Sequence, residues 1–65
     1  MDDKKLNEMV LSVIEENGSI KHALEATIRE IIRLQETQDL YQLSIWRDIK
    51  IKLKEHLKNE FVRQR

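Results

Sequence analysis

Two histidines, His22 and His56, are the side chains in this sequence best suited to acid–base or metal chemistry. Histidine changes charge near neutral pH and is a common metal ligand. The two lie on different predicted helices, and the i,i+3 pair of His22 and Glu25 lacks the further Glu ligands of a di-iron bundle site. Phosphate-binding glycine loops, nucleophile elbows and HExxH zinc motifs are absent from the sequence. We therefore expect no catalytic residue, no metal site, no cofactor and no enzymatic activity.

A row of basic residues suggests a different chemistry, which is binding to an anionic surface. Its members step by three, four, four and seven positions, which places them along one side of a helix: Arg47, Lys50, Lys54, Lys58 and Arg65. Such a row can follow a phosphate backbone and bind it by counterion release. Asp48, Glu55 and Glu60 interrupt the same helix, and no aromatic or Arg/Asn cluster is present to read bases. Nucleic acid is therefore the alternative partner in this interpretation.

Charge is distributed unevenly along the chain, although the formal net charge is zero. Residues 1–39 carry nine acidic and five basic side chains, whereas residues 40–65 carry three acidic and seven basic ones. Two interpretations are open. Either the two parts complement each other within the folded chain, or the basic part meets a second chain or a nucleic acid.

Helices are the elements that must position these side chains. Apolar residues recur at helical spacing in three segments, and we predict helices at residues 3–16, 20–36 and 39–62. Gly18 ends the first helix and Ser19 caps the second. No Gly or Pro marks the break around residues 36–39, so a single bent helix is the alternative to separate second and third helices.

Residues 48–55, DIKIKLKE, alternate apolar and charged side chains as a half-buried strand does. Over a wider window, however, apolar residues step by three or four for five turns: Leu43, Trp46, Ile49, Leu53, Leu57 and Phe61. No other segment offers a partner strand, so a helix is predicted. Ile51 then falls opposite the main apolar stripe, near Leu40 and Val62, each eleven residues away. These residues are either scattered exposed apolar side chains or a second interface.

The predicted fold is all-α, a small three-helix domain over residues 1–65 that is built on an antiparallel hairpin of helices two and three. A chain this short buries only about 60% of its surface on folding. Helices two and three offer more apolar surface than one short helix can cover, so we expect a homodimer. The predicted core consists of Leu6, Val10, Val13, Leu24, Ile28, Ile31, Trp46, Ile49, Leu53 and Leu57.

No membrane partner is expected, because no apolar run approaches the roughly 18 residues that span a bilayer. The start of the sequence, MDDKKLNEM, lacks the apolar region of a secretory signal. The chain also contains no cysteine, which excludes disulfides and thiolate metal ligands. We therefore predict a cytoplasmic protein.

A protein partner is the first functional prediction. We expect a small non-catalytic regulator, for example of transcription, that binds another protein through an exposed helical face and acts as a homodimer. The predicted binding residues are Leu40, Arg47, Ile51, Lys54, Lys58 and Val62. The alternative is a nucleic-acid-binding regulator that uses the basic row of the third helix.

Overall fold

A computed structural model describes residues 2–63 of the chain, with side chains for residues 2–60. Three α-helices follow one another: α1 (Asp3–Asn17), α2 (Ile20–Thr37) and α3 (Leu40–Arg63). Each helix packs against the other two. The described residues contain no β-strand, so the alternating residues 48–55 are helical. The predicted all-α class with three packed helices is confirmed.

Capping side chains define where α1 and α2 begin and end. The Asp2 carboxylate accepts a hydrogen bond from the Lys4 backbone N–H at 3.3 Å and so caps α1. Gly18 ends this helix in the left-handed conformation, φ 84°, and its N–H donates to the Ile14 carbonyl. The Ser19 hydroxyl then accepts from the His22 backbone N–H at 3.1 Å. The sequence Gly18-Ser19 therefore ends one helix and starts the next within two residues.

The break between α2 and α3 lies at Gln38 and Asp39. Gln38 takes the left-handed conformation, φ 59°, which is uncommon for a residue with a Cβ. The Asp39 carboxylate accepts a hydrogen bond from the Gln42 backbone N–H at 3.2 Å and caps α3. Because the left-handed residue interrupts the helix, α2 and α3 are separate helices, and the single bent helix is wrong.

Buried apolar side chains form two clusters. The first draws on all three helices and contains Leu6, Val10, Ala23, Ile49 and Leu53. The second lies between α2 and α3 and contains Ile31, Leu34 and Leu43. Trp46 is partly buried and packs against both clusters. The core is therefore continuous along the contact between α2 and α3, and α1 covers only the first cluster.

One predicted core residue, Ile28, is exposed, with 39% of its surface accessible. The buried side of α2 is centred on Thr27 and Ile31, and each residue turns the helix by about 100°. Ile28 therefore lies beyond the edge of this buried side. The Thr27 hydroxyl is fully buried, and it donates to the Ala23 carbonyl at 2.8 Å, so no polar group is left unsatisfied there.

Other predicted core residues are only half-buried: Val13, Leu24, Trp46 and Leu57. Buried positions that the predicted core omitted are Ala23, Thr27, Leu34 and Leu43. All four lie on the apolar stripes of α2 and α3. The sequence therefore predicted the correct faces of α2 and α3, but the predicted core omitted some of the buried residues on each face.

Replacing Ile49, which is fully buried, by Ala should cost about 2–5 kcal/mol of unfolding free energy, because the side chain leaves a cavity. At about 0.05–0.15 kcal/mol per residue, a domain of 65 residues holds about 3–10 kcal/mol in total, so this variant should lose a large part of its stability. The matched control is Ile51→Ala, two positions along, where 56% of the side chain is already exposed. It should stay within about 0.5 kcal/mol of the parent. Urea unfolding followed by circular dichroism measures both, and equal losses would contradict the helical assignment.

Replacing Gln38 by Gly should stabilise the protein by about 0.5–1 kcal/mol, because glycine adopts positive φ without the steric cost that a Cβ brings. The opposite change at the other connection, Gly18→Ala, should destabilise it by about 1 kcal/mol. No atom lies within 4 Å of a Cβ placed at Gly18, so the loss would come from backbone strain rather than a clash. Thermal unfolding of the two variants checks the opposite signs.

Candidate functional site

The solvent-facing side of α3 carries the residues that the sequence singled out for binding. Because Ile49 and Leu53 are fully buried, residues on the opposite side of the helix point to solvent. Leu40 and Ile51 expose 75% and 56% of their surfaces. The side chains that share this side are all exposed and are here called the α3 face: Leu40, Arg47, Ile51, Lys54 and Lys58. The side chain of Val62, the sixth predicted residue, lies outside the described residues, as do Arg65 and the side chain of Phe61.

Charges border Ile51 differently on its two sides. Arg47 lies four residues before it and Lys54 three residues after it, on one flank. Asp48 and Glu55 lie three before and four after, on the other flank, and both are exposed. The apolar side chains thus lie between a basic and an acidic row. Such an arrangement can select the direction of a helix that packs on it, because each flank prefers the opposite charge.

Lys50 departs from the predicted basic row because it is partly buried, whereas Arg47, Lys54 and Lys58 are exposed. Seven residues before it lies the buried Leu43, so Lys50 is turned toward the packed side of the helix. Three basic side chains are therefore fully available on the α3 face.

Ion pairs within the described residues join only side chains of the same helix. Glu30 pairs with Arg33 in α2, and Lys52 lies 3.9 Å from Glu55 in α3. The hydrogen bond from Arg33 lowers the pKa of Glu30; desolvation opposes this effect, and the charge of the guanidinium adds to it. No ion pair in the described part of the chain joins the acidic α1 to the basic α3. No described side chain thus neutralises the basic side chains of the α3 face by direct pairing.

Among the described side chains, the two histidines make no hydrogen bond with each other. His22 is exposed, and its Nδ1 lies 2.7 Å from the Ser19 hydroxyl at the start of α2. His56 is partly buried and borders a shallow depression with Ile20, Asn59 and Glu60. Among residues 2–63, no three His, Asp or Glu side chains are placed to hold a metal ion.

A second group of exposed apolar side chains lies on α2 and was missed by the sequence reasoning. Ile28 and Ile32 expose 39% and 52% of their surfaces. The predicted core included Ile28, because periodicity does not reveal how wide an apolar stripe the neighbouring helices cover. Their position beside the charged Lys21, Glu25 and Arg29 was the available signal for an exposed edge.

An open groove of about 610 Å³ runs between α1 and the first turns of α3. Apolar Met9 and Ile45 line it together with Lys5, Gln42 and Asp48. Tyr41 stands at its border with 75% of its surface exposed. Asp2 and Ser44 complete the lining, so most of the side chains around the groove are polar or charged.

None of the described helices combines the length and apolar character that a bilayer span needs. Comparison of the chain with protein-family models, with curated proteins and with solved structures finds no match.

Proposed function

We propose that this protein is a small, non-catalytic regulator that binds another protein through the α3 face and acts as a homodimer. The observation that supports the proposal is the exposure of Leu40 and Ile51 on one side of a 24-residue helix, between rows of charged side chains. An apolar centre with a charged border is the usual composition of a binding patch. A cytoplasmic location belongs to the proposal and is compatible with the absence of cysteine.

Rigidity supports this use of α3. Ile49 and Leu53 anchor the middle of the helix in the first cluster, and Leu43 anchors its beginning in the second. A helix already held in place loses little further conformational freedom when a partner binds. The side chains of the α3 face would therefore meet a groove or a helix of the partner in a prearranged geometry.

An antiparallel arrangement of α2 and α3 is part of the proposal. Ala23, near the start of α2, clusters with Ile49 and Leu53, whereas Leu34, near its end, clusters with Leu43 at the start of α3. The order of contacts is thus reversed along the two helices, and only two residues connect them. Such a short connection favours a helical hairpin. In this arrangement the α3 face lies on the side of α3 away from α2.

Replacing Ile51 by Glu should abolish partner binding, because it puts a carboxylate at the apolar centre of the α3 face. Helicity should not change, since the side chain is already more than half exposed. The matched control is Leu11→Glu on α1, where 60% of the side chain is exposed. Affinity capture from cell lysate with the parent and both variants, quantified by mass spectrometry, should find proteins that Ile51→Glu alone loses.

Two outcomes would count against this function. If Ile51→Glu retains the same captured proteins as Leu11→Glu, the α3 face is not the binding surface. If Ile51→Glu loses helicity together with binding, Ile51 is a structural residue and the loss says nothing in favour of a binding role.

Nucleic acid is the second candidate, and it is favoured by the exposure of Arg47, Lys54 and Lys58, which form no ion pair within the part of the chain that the structure describes. If these side chains contact phosphates, replacing Lys54 and Lys58 by Gln should lower the salt dependence of binding by about two in log–log slope, since each contact contributes about 0.9. The control variant changes Lys4 and Lys5 to Gln, which removes the same charge from α1. Anisotropy of a labelled DNA duplex at about 50 and about 200 mM salt is the measurement. Absence of binding at the lower salt removes this candidate.

A further inference from the structure

Three apolar residues form a row on α2 that neither α1 nor α3 covers fully. Leu24, Ile28 and Ile32 follow one another at four-residue spacing and are here called the α2 ridge. Leu24 is half-buried, Ile28 is 39% exposed and Ile32 is 52% exposed. The exposure of the three side chains therefore increases along the helix from Leu24 to Ile32. It is separate from the α3 face, so both surfaces are available at once.

Charges at the two ends of α2 are the reverse of what a single helix prefers. The N-terminal end of a helix favours acidic side chains and the C-terminal end favours basic ones, because of the helix dipole. The first turn of α2 contains no acid and its last turn no base. Instead, Lys21 lies at the start and Glu36 at the end, both exposed and neither in an ion pair within the described residues. Both charges are thus unfavourable within one copy of the helix.

We propose that the α2 ridge is the interface with a second copy of the chain, and that the two α2 helices run antiparallel across a two-fold axis. The inference rests on the homodimer of the proposed function and identifies its surface and geometry. Antiparallel packing places Ile28 on Ile32 of the partner subunit, and the symmetry repeats this contact.

Charge complementarity selects this direction. With Ile28 opposite Ile32 of the partner subunit, Lys21 comes within one helical turn of Glu36 of the partner subunit, and the same pair forms again on the other side of the axis. The positive end of each helix dipole also lies beside the negative end of the other. A parallel pair would instead place Lys21 against Lys21 of the partner subunit. Only the antiparallel pair therefore satisfies the charges that a single α2 leaves unfavourable.

Sedimentation equilibrium of the full chain over a range of concentrations tests the surface. The parent should shift from monomer to dimer mass as concentration rises, Ile32→Glu should stay monomeric, and Leu11→Glu should behave as the parent does. Circular dichroism should show unchanged helicity in both variants, because both side chains are more than half exposed. A parent that is monomeric throughout, or an Ile32→Glu variant that dimerises normally, overturns the proposal.

The direction of packing is tested by Lys21→Glu, Glu36→Lys and the double variant. Each single change should raise the dimer dissociation constant by about tenfold, since two attractive pairs become repulsive, and the double variant should recover the parent value. The single changes should meanwhile raise the thermal stability of the diluted monomer, because each one suits the helix dipole. A variant that loses its fold would instead combine a raised dissociation constant with a lowered thermal stability, so unfolding is distinguished from an interface effect. Single variants that dimerise as the parent does would overturn the antiparallel arrangement.

The test also separates this inference from the proposed function. Ile51→Glu should remain dimeric while it loses the partner, and Ile32→Glu should be monomeric whatever becomes of partner binding. A dimeric Ile32→Glu variant contradicts the α2 ridge alone. An Ile51→Glu variant that still binds its partner contradicts the α3 face alone.

Discussion

The burial of Ile49 and Leu53 against α1 and α2 is the contact on which the rest of the structure depends. Both side chains are fully inaccessible and cluster with Val10 and Ala23, which are equally buried. Since Ala23 is small, the backbones of α2 and α3 can approach closely at this point. The contact fixes the rotation of α3 about its axis. Once that rotation is fixed, every other side chain of α3 has a defined direction, including those of the α3 face.

The small size of the chain explains why exposed apolar surface remains. The chain has only 65 residues, and its described part forms two modest buried clusters, of which α1 covers one. A core of this kind leaves the outer edge of α2 and the outer side of α3 without a neighbour. Both proposals follow from this geometric limit, since uncovered apolar residues in a small domain are where oligomers and partners add burial. The two surfaces differ in chemistry. The α3 face is bordered by rows of charged side chains, whereas the charges at the two ends of the α2 ridge complement those of a second copy only when the two helices run antiparallel.

Sequence periodicity was sufficient for the type and order of the elements. Asn17-Gly18-Ser19 marked the first connection, because glycine and a capping hydroxyl carry a direct backbone meaning. The pattern from Leu43 to Phe61 correctly overruled the local alternation around Ile51, since a stripe sustained over five turns outweighs six residues of strand-like order. The orientation of Ile51, Lys54 and Lys58 followed from that stripe, which is why the candidate face could be named in advance.

What could not be predicted depends on tertiary contacts. Ile28 and Thr27 are adjacent, and hydrophobicity alone places the isoleucine inside, yet the structure buries the threonine. The hydroxyl can be buried because it donates a hydrogen bond to the helix backbone. Which of the two adjacent residues is buried depends on which one faces the neighbouring helices. Gln38 gave no signal either, because a left-handed residue other than glycine is tolerated only where the surrounding packing requires the turn.

Trp46 has a consequence for cooperativity. It packs against both buried clusters, and the shared contact makes its indole ring a mechanical link between the two halves of the core. Unfolding of either cluster must change the surroundings of this ring, so neither half of the core can unfold without removing contacts of Trp46. A protein with two small buried clusters can unfold in two stages, as separate subdomains do. Because both clusters share Trp46, the two stages are coupled. The packing of α1 and the packing of the ends of α2 and α3 near their connection then depend on each other.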